Sequence, residues 1–194
     1  MPLVPFLLYV FITSFTPGPN NIMALVFANK YGFKKTIKFC IGVGAGFFFI
    51  MVICSYFNLL LKSFLPKIEI YLSIIGAVYM LYLAVKIGWS TSDEEGENEG
   101  NHNNFFSGMF LQFINPKGIL YGITVVSAFI IPYHASNFSL LLYSLLLGFV
   151  GIVSTMCWSV FGSIFQKFLA KYRKLFNIFM ALLLVYSALS IVMK

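Results

Sequence analysis

The chain has 194 residues, of which 60% are hydrophobic and 10% are charged, and its formal net charge is +7. Soluble domains carry about 25% charged residues, so this composition excludes a soluble protein and indicates one embedded in a membrane. A spanning helix needs about 20 mostly apolar residues. Hydropathy predicts six such helices, at 3–28, 39–61, 70–88, 105–131, 139–162 and 175–193. We therefore expect an all-α membrane protein that forms a single transmembrane domain over residues 1–194.

The first predicted helix contains the run TPGPNN, which interrupts it. Pro17 and Pro19 remove two backbone donors and Gly18 loosens the chain between them, so the helix should split into two halves. We expect Thr16 to be the N-cap of the second half and Pro17 to be its first residue. From Leu3 to Thr16 the chain rises about 20 Å at 1.5 Å per residue, which places the break near the middle of the bilayer.

Glycines in the second predicted helix and an acid at the start of the third one indicate structural roles. Gly42, Gly44 and Gly46 lie inside helix 2, where small residues at this spacing indicate a close contact with another helix. Helix 3 is expected to begin after Pro66, with Glu69 stabilising its first turn. All six acidic residues of the chain then fall outside the predicted spanning cores.

A polar run, residues 91–104, follows helix 3 and holds most of the acidic side chains. Such a run cannot bury enough apolar surface to order itself, so we predict a solvated linker. Its spacing fits no Ca²⁺ or Zn²⁺ pattern, and we expect no metal site and no cofactor. The linker divides the chain into two units of three helices, about 1–90 and about 105–194.

The second unit repeats the break of the first one, in the run LQFINPKGILYG. Asn115 is expected to be an N-cap and Pro116 the first residue of the new half-helix, with Lys117 directly after it. The run AVYMLYLAVKI near the end of the first unit is also echoed by ALLLVYSALSI near the end of the second. Because three is odd, two such units must face opposite ways across the membrane, which is the inverted-repeat plan of many secondary transporters.

Matching breaks in two repeats indicate a transport site near the middle of the membrane. Each new half-helix begins with free N–H groups and the positive end of its dipole, which favour an anion, and Lys117 adds a full charge. A zwitterion fits this cluster, with its carboxylate on the half-helix ends and Lys117 and its amine on amide and backbone carbonyl oxygens. The predicted substrate-binding residues are Thr16, Pro17, Gly18, Pro19, Asn20, Asn21, Gln112, Asn115, Pro116 and Lys117.

Two other interpretations stay open. A proline kink in a membrane helix can be a packing device only, and two helix N-termini with a lysine could line the pore of an anion-selective channel. A membrane enzyme finds no support, because the sequence shows no metal site, paired acids or spacing of nucleophile and base. We expect no nucleic-acid partner, while a homo-oligomer is an open alternative.

Basic residues are distributed unevenly over the predicted connections. By the positive-inside rule, the 1–2, 3–4 and 5–6 connections are cytoplasmic and both termini lie outside. The basic residues on the cytoplasmic side are Lys30, Lys34, Lys35, Lys38, Lys86, Lys167, Lys171, Arg173 and Lys174.

Four motifs carry a resemblance to a known family: TPGPNNIMAL, NKYGFKK, LQFINPKGILYG and GAVYMLYLAVKI. Over nearly its whole length the chain resembles the LysE/RhtB family of bacterial amino-acid exporters. Within that family it is most similar to the cysteine and O-acetylserine exporter subgroup, through the Cys157-Trp158 pair, Phe165-Gln166 and the C-terminal run NIFMALLLVYSA.

The resemblance implies a secondary transporter in the bacterial cytoplasmic membrane that exports small neutral amino acids, of which cysteine-like or O-acetylserine-like ones are favoured. It also implies a multi-pass protein whose substrate crosses the lipid bilayer. Some relatives carry an aspartate in helix 2, whereas the run CIGVGAGFFFIMVICS has no acid. A coupling step based on a carboxylate in that helix is therefore not carried over to this chain.

Overall fold

The computed structural model describes residues 1–89, 103–165 and 172–193, and every regular element within these ranges is a helix. The all-α prediction is confirmed for this part of the chain. The acidic residues of the predicted linker lie outside the described residues, as do Lys167 and Lys171. The helices are α1 (Leu3–Phe15), α2 (Pro19–Tyr31), α3 (Phe33–Tyr56), α4 (Asn58–Gly88), α5 (Phe105–Phe113), α6 (Pro116–Val125) with a π-helical turn (Val126–Ile130), α7 (Asn137–Ile164) and α8 (Arg173–Val192).

Two of the described helices, α3 and α7, are long and apolar enough to cross a membrane, and the bent pair of α5 and α6 with its π-helical turn makes a third candidate span. Helix α1 and the described parts of α4 and α8 are shorter apolar helices. Large apolar side chains such as Leu7, Phe11 and Phe149 are more than half exposed, which fits a protein surrounded by lipid. The arrangement as two inverted three-helix repeats stays a prediction.

Both predicted breaks are present. Helices α1 and α2 are separated by residues 16–18, and α5 and α6 are separated by residues 114–115 with a bend of 66° between them. At the second break Asn115 is the N-cap and Pro116 the first helical residue, as expected. The depth of either break in the bilayer stays a prediction.

At the first break, the expected cap was wrong by two residues. Helix α2 begins at Pro19 with Gly18 as its N-cap, and Thr16 instead caps the C-terminal end of α1. The residue before a proline is pushed out of the helical region by the proline ring. Because Pro19 forces Gly18 into an extended conformation, with φ −172° and ψ 172°, a helix cannot continue through Gly18 from Pro17.

The connections on either side of α3 are shorter than the sequence indicated. A single residue, Gly32, separates α2 from α3, and its φ of 84° lies in the region that only glycine adopts at low cost. The lysines expected in this connection therefore lie on helix ends.

The predicted connection between helices 2 and 3, at residues 62–69, is also wrong. Helix α4 is continuous from Asn58, and the interruption lies at Phe57. A continuous helix closes its own backbone hydrogen bonds where lipid offers none.

Close helix contacts at glycine confirm the interpretation of the small residues in α3. A Cβ atom on Gly42 would lie 2.0 Å from the carbonyl oxygen of Phe105, and one on Gly108 of α5 would lie 2.2 Å from that of Phe39. A Cβ on Gly44 would lie 2.1 Å from the Ile152 side chain of α7. Glycine thus brings α3 into backbone contact with α5 and close to α7, and α5 carries part of the second break.

We expect Gly42→Ala to destabilise the protein, because the added methyl group would overlap the α5 backbone. Overpacking of this kind costs about 1–3 kcal/mol, which a lower melting temperature in detergent micelles would report. Gly151→Ala is the matched control in α7, since its Cβ would meet its nearest neighbour, on Phe47, at an ordinary 3.6 Å. Equal melting temperatures for the two variants would contradict the close packing of α3 on α5.

Candidate functional site

A small cavity lies where the two breaks meet. Its volume is about 60 Å³, enough for a few water-sized groups. Helices α1, α2, α3, α5, α6 and α7 all contribute to its wall. The predicted site residues that line it are Gly18, Asn20, Asn21, Gln112, Asn115 and Lys117, and the remaining lining residues are Thr13, Ser14, Val43, Phe47, Gly118, Tyr121, Gly151, Ser154 and Thr155.

The other predicted site residues lie beside the cavity and not in its wall. Thr16 and Pro17 contact Lys117 through their oxygen atoms. Pro19 and Pro116 are the first residues of α2 and α6 and are buried. Pro116 packs so closely on α4 that a Cβ on Gly76 would lie 1.8 Å from its ring. The two prolines therefore determine where the half-helices begin.

Lys117 joins the second break to the first one. Its Nζ donates to the carbonyl oxygen of Thr16 at 2.9 Å, to the Thr16 hydroxyl at 2.9 Å and to the carbonyl oxygen of Pro17 at 3.2 Å. A lysine ammonium has three N–H donors, so these acceptors use all of them. The acceptors lie at the C-terminal end of α1, where the helix dipole is negative and favours a cation.

Side chains from α2 and α7 satisfy the remaining carbonyl groups at this end of α1. The Ser14 carbonyl oxygen accepts from Asn21 Nδ2 at 2.9 Å and from Ser154 Oγ at 2.6 Å. The Phe15 carbonyl oxygen accepts from Trp158 Nε1 at 3.1 Å. No N–H group of a helix donates to its last carbonyl groups. The side chains of Asn21, Ser154 and Trp158 supply the missing donors.

The half-helices α2 and α6 present their N-terminal ends to the cavity. The first intrahelical bonds are donated by Ile22 to Gly18 and by Ile119 to Asn115, at 2.9 and 3.1 Å. The N–H groups of the residues before Ile22 and Ile119 therefore have no acceptor within their own helix. Lys117 is the one charged residue in the described cavity wall. Two positive dipole ends and one ammonium group make this wall favourable for an anionic group.

An amide cluster occupies another part of the wall. Gln112 Oε1 accepts from Asn20 Nδ2 and, at 3.4 Å, from Asn115 Nδ2. All three residues are buried. Asn20 Oδ1 and Asn115 Oδ1 have no hydrogen-bond partner among the described residues. Two residues of the cavity wall therefore have a buried acceptor that no described donor uses.

Sequence reasoning missed the contribution of α1, α3 and α7 to the cavity. Ser154 and Thr155 form a polar pair inside an apolar span, which was a usable signal. Thr155 bonds to its own helix, at Gly151 O, as serine and threonine commonly do in membrane helices, so that signal is ambiguous. Phe47 is apolar like its neighbours, and no sequence pattern distinguishes it from a residue of the core.

Comparison with protein families matches residues 11–194 to the LysE type translocator family. The cysteine/O-acetylserine efflux protein of Escherichia coli (strain K12) is 37% identical over 183 residues, which are 94% of this chain and 93% of the relative. The protein of the same name from Salmonella typhimurium (strain LT2) is 39% identical over 191 residues, which are 98% and 97% of the two chains.

No solved structure matches the chain. The family match covers nearly all of the chain, including both breaks and every residue of the cavity wall. It identifies a translocator and not an enzyme. The chain belongs to the LysE family of translocators.

Proposed function

We propose that this chain is a secondary transporter that exports small neutral amino acids, cysteine-like or O-acetylserine-like, across the bacterial cytoplasmic membrane. Family membership supports amino-acid export, and the names of the two relatives, cysteine/O-acetylserine efflux proteins, support the substrate class. The substrate would occupy the cavity between the two breaks, in contact with the predicted site residues that line it.

The observation that carries this proposal is the chemical composition of the cavity wall. It combines one lysine, two helix N-termini and uncharged amide and hydroxyl groups, and its described residues include no acid. A zwitterion finds partners for both of its charges there. A basic amino acid would add a cationic side chain to its α-ammonium group, and the described cavity wall has no acid to offset that extra charge, which is costly in a membrane interior.

Counterflow in proteoliposomes tests the function. Vesicles loaded with unlabelled L-cysteine or O-acetyl-L-serine should transiently accumulate the labelled compound from outside, and vesicles loaded with L-lysine should not. Saturable exchange of this kind is typical of a carrier. Single-channel anion conductance without counterflow would contradict the proposal and support the anion-selective channel instead.

Lys117→Met should strongly reduce transport while the protein still inserts into the membrane. We assign the charge of Lys117 to the substrate carboxylate, which would replace one of the Thr16 and Pro17 acceptors when it binds. Loss of a charge-assisted contact costs on the order of 1.5–3 kcal/mol, or about 10- to 150-fold in affinity. The matched control is Lys38→Met, which removes an exposed lysine from α3 and should leave counterflow unchanged. Normal transport by Lys117→Met would show that the site assignment is wrong.

We also propose that both termini lie outside the cell, from the distribution of lysines. In a variant without its native cysteines, a membrane-impermeant maleimide added to intact cells should label Tyr133→Cys, which lies between α6 and α7. The same reagent should not label Glu97→Cys or Lys35→Cys until the cells are opened. Labelling of either of the latter two in intact cells would reverse the orientation.

A further inference from the structure

Gln112 orients two asparagines that come from different breaks. Its Oε1 accepts from the Nδ2 groups of both Asn20 and Asn115. A carbonyl oxygen has no hydrogen to donate to another one. Each asparagine must therefore turn its NH₂ group toward Gln112 and its Oδ1 away from it.

Two glycines determine the position of Gln112. A Cβ on Gly46 of α3 would lie 2.9 Å from Gln112 Cβ, and a Cβ on Gly118 of α6 would lie 2.5 Å from Gln112 Nε2. Any larger residue at either position would displace the side chain. Gln112 itself is 4% exposed, so its amide is held by packing on both sides.

The two oxygens that Gln112 turns away are buried acceptors without a donor. Asn20 and Asn115 are 7% and 5% exposed, and the Oδ1 atom of each lacks a hydrogen-bond partner among the described residues. Both residues line the cavity. A buried acceptor without a donor costs free energy. An ammonium group, with three donors and no acceptor, is the ligand that suits two carbonyl oxygens.

Lys117 does not supply that donor, because its own three donors are used by Thr16 and Pro17. The same contacts occupy the backbone carbonyls that could otherwise hold an amine. We propose that Oδ1 of Asn20 and Oδ1 of Asn115 bind the α-ammonium group of the amino-acid substrate, and that Gln112 is a positioning residue that acts through them. This inference rests on the proposed function and assigns the two ends of the substrate to different parts of the cavity.

The test compares each amino acid with an analogue that lacks only the amine. Binding of L-cysteine and 3-mercaptopropionate under reducing conditions, and of O-acetyl-L-serine and 3-acetoxypropionate, is measured on the purified full-length protein in micelles. Wild type should prefer each amino acid. Asn20→Leu and Asn115→Leu should each lower that preference about 10-fold or more, by weakening binding of the amino acid and not of the analogue.

Asn103→Leu is the matched control, because Asn103 also has a buried Oδ1 without a partner but lies outside the cavity wall. It should leave the preference unchanged. Melting temperatures identify any variant that does not fold, and Asn115→Ala or Asn20→Ala then replaces it. If the asparagine variants bound the amino acid and its analogue with the wild-type preference, the assignment of the ammonium group to Asn20 and Asn115 would be wrong. The proposed function would not be affected by that result.

A double-mutant cycle separates the role of Gln112 from direct contact with the ligand. Gln112→Leu alone should lower the preference for the amino acid, because both asparagines lose their orientation. In the Asn20→Leu/Asn115→Leu background it should have no further effect on the preference. An additive effect would overturn the positioning role of Gln112. Failure of the wild type to bind any amino acid would overturn the proposed function and, with it, the assignment of the ammonium group.

Discussion

The structure depends on donors for the carbonyl groups at the C-terminal end of α1, which the helix itself leaves without hydrogen bonds. Away from water, the last carbonyl groups of an interrupted helix are stable only if other protein groups donate to them. Lys117 reaches from α6 to the carbonyl oxygens of Thr16 and Pro17, and Trp158 of α7 donates to Phe15. Separate parts of the fold are thus joined at one short stretch of backbone.

That constraint also shapes the cavity. The contacts that satisfy the end of α1 draw α6 and α7 toward the first break, and the glycine contacts of α3 bring α5 and Gln112 to the same place. Because Pro19 and Pro116 start the half-helices there, their N-terminal ends border the same small volume. The carbonyl groups at the end of α1 have donors, whereas the amide oxygens of Asn20 and Asn115 have none among the described residues.

The charges of this arrangement agree with a zwitterionic substrate. A wall with a single ammonium group and no acid among its described residues favours a carboxylate, while the free oxygens of Asn20 and Asn115 favour a donor. The compact neutral amino acids proposed as substrates would offer one charged group to each of these.

The sequence by itself determined the helical class, the residues of both breaks and the lysine and amide side chains at the cavity, because proline, glycine and amide side chains act locally or have no other use in an apolar span. Motifs such as TPGPNN also indicated the family. Only the tertiary structure decided the partners of Lys117 and the positions of Phe47 and Ser154 in the cavity wall. Those depend on which helices pack together, and residues about 100 positions apart in the sequence, such as Thr16 and Lys117, meet through packing that no local pattern encodes.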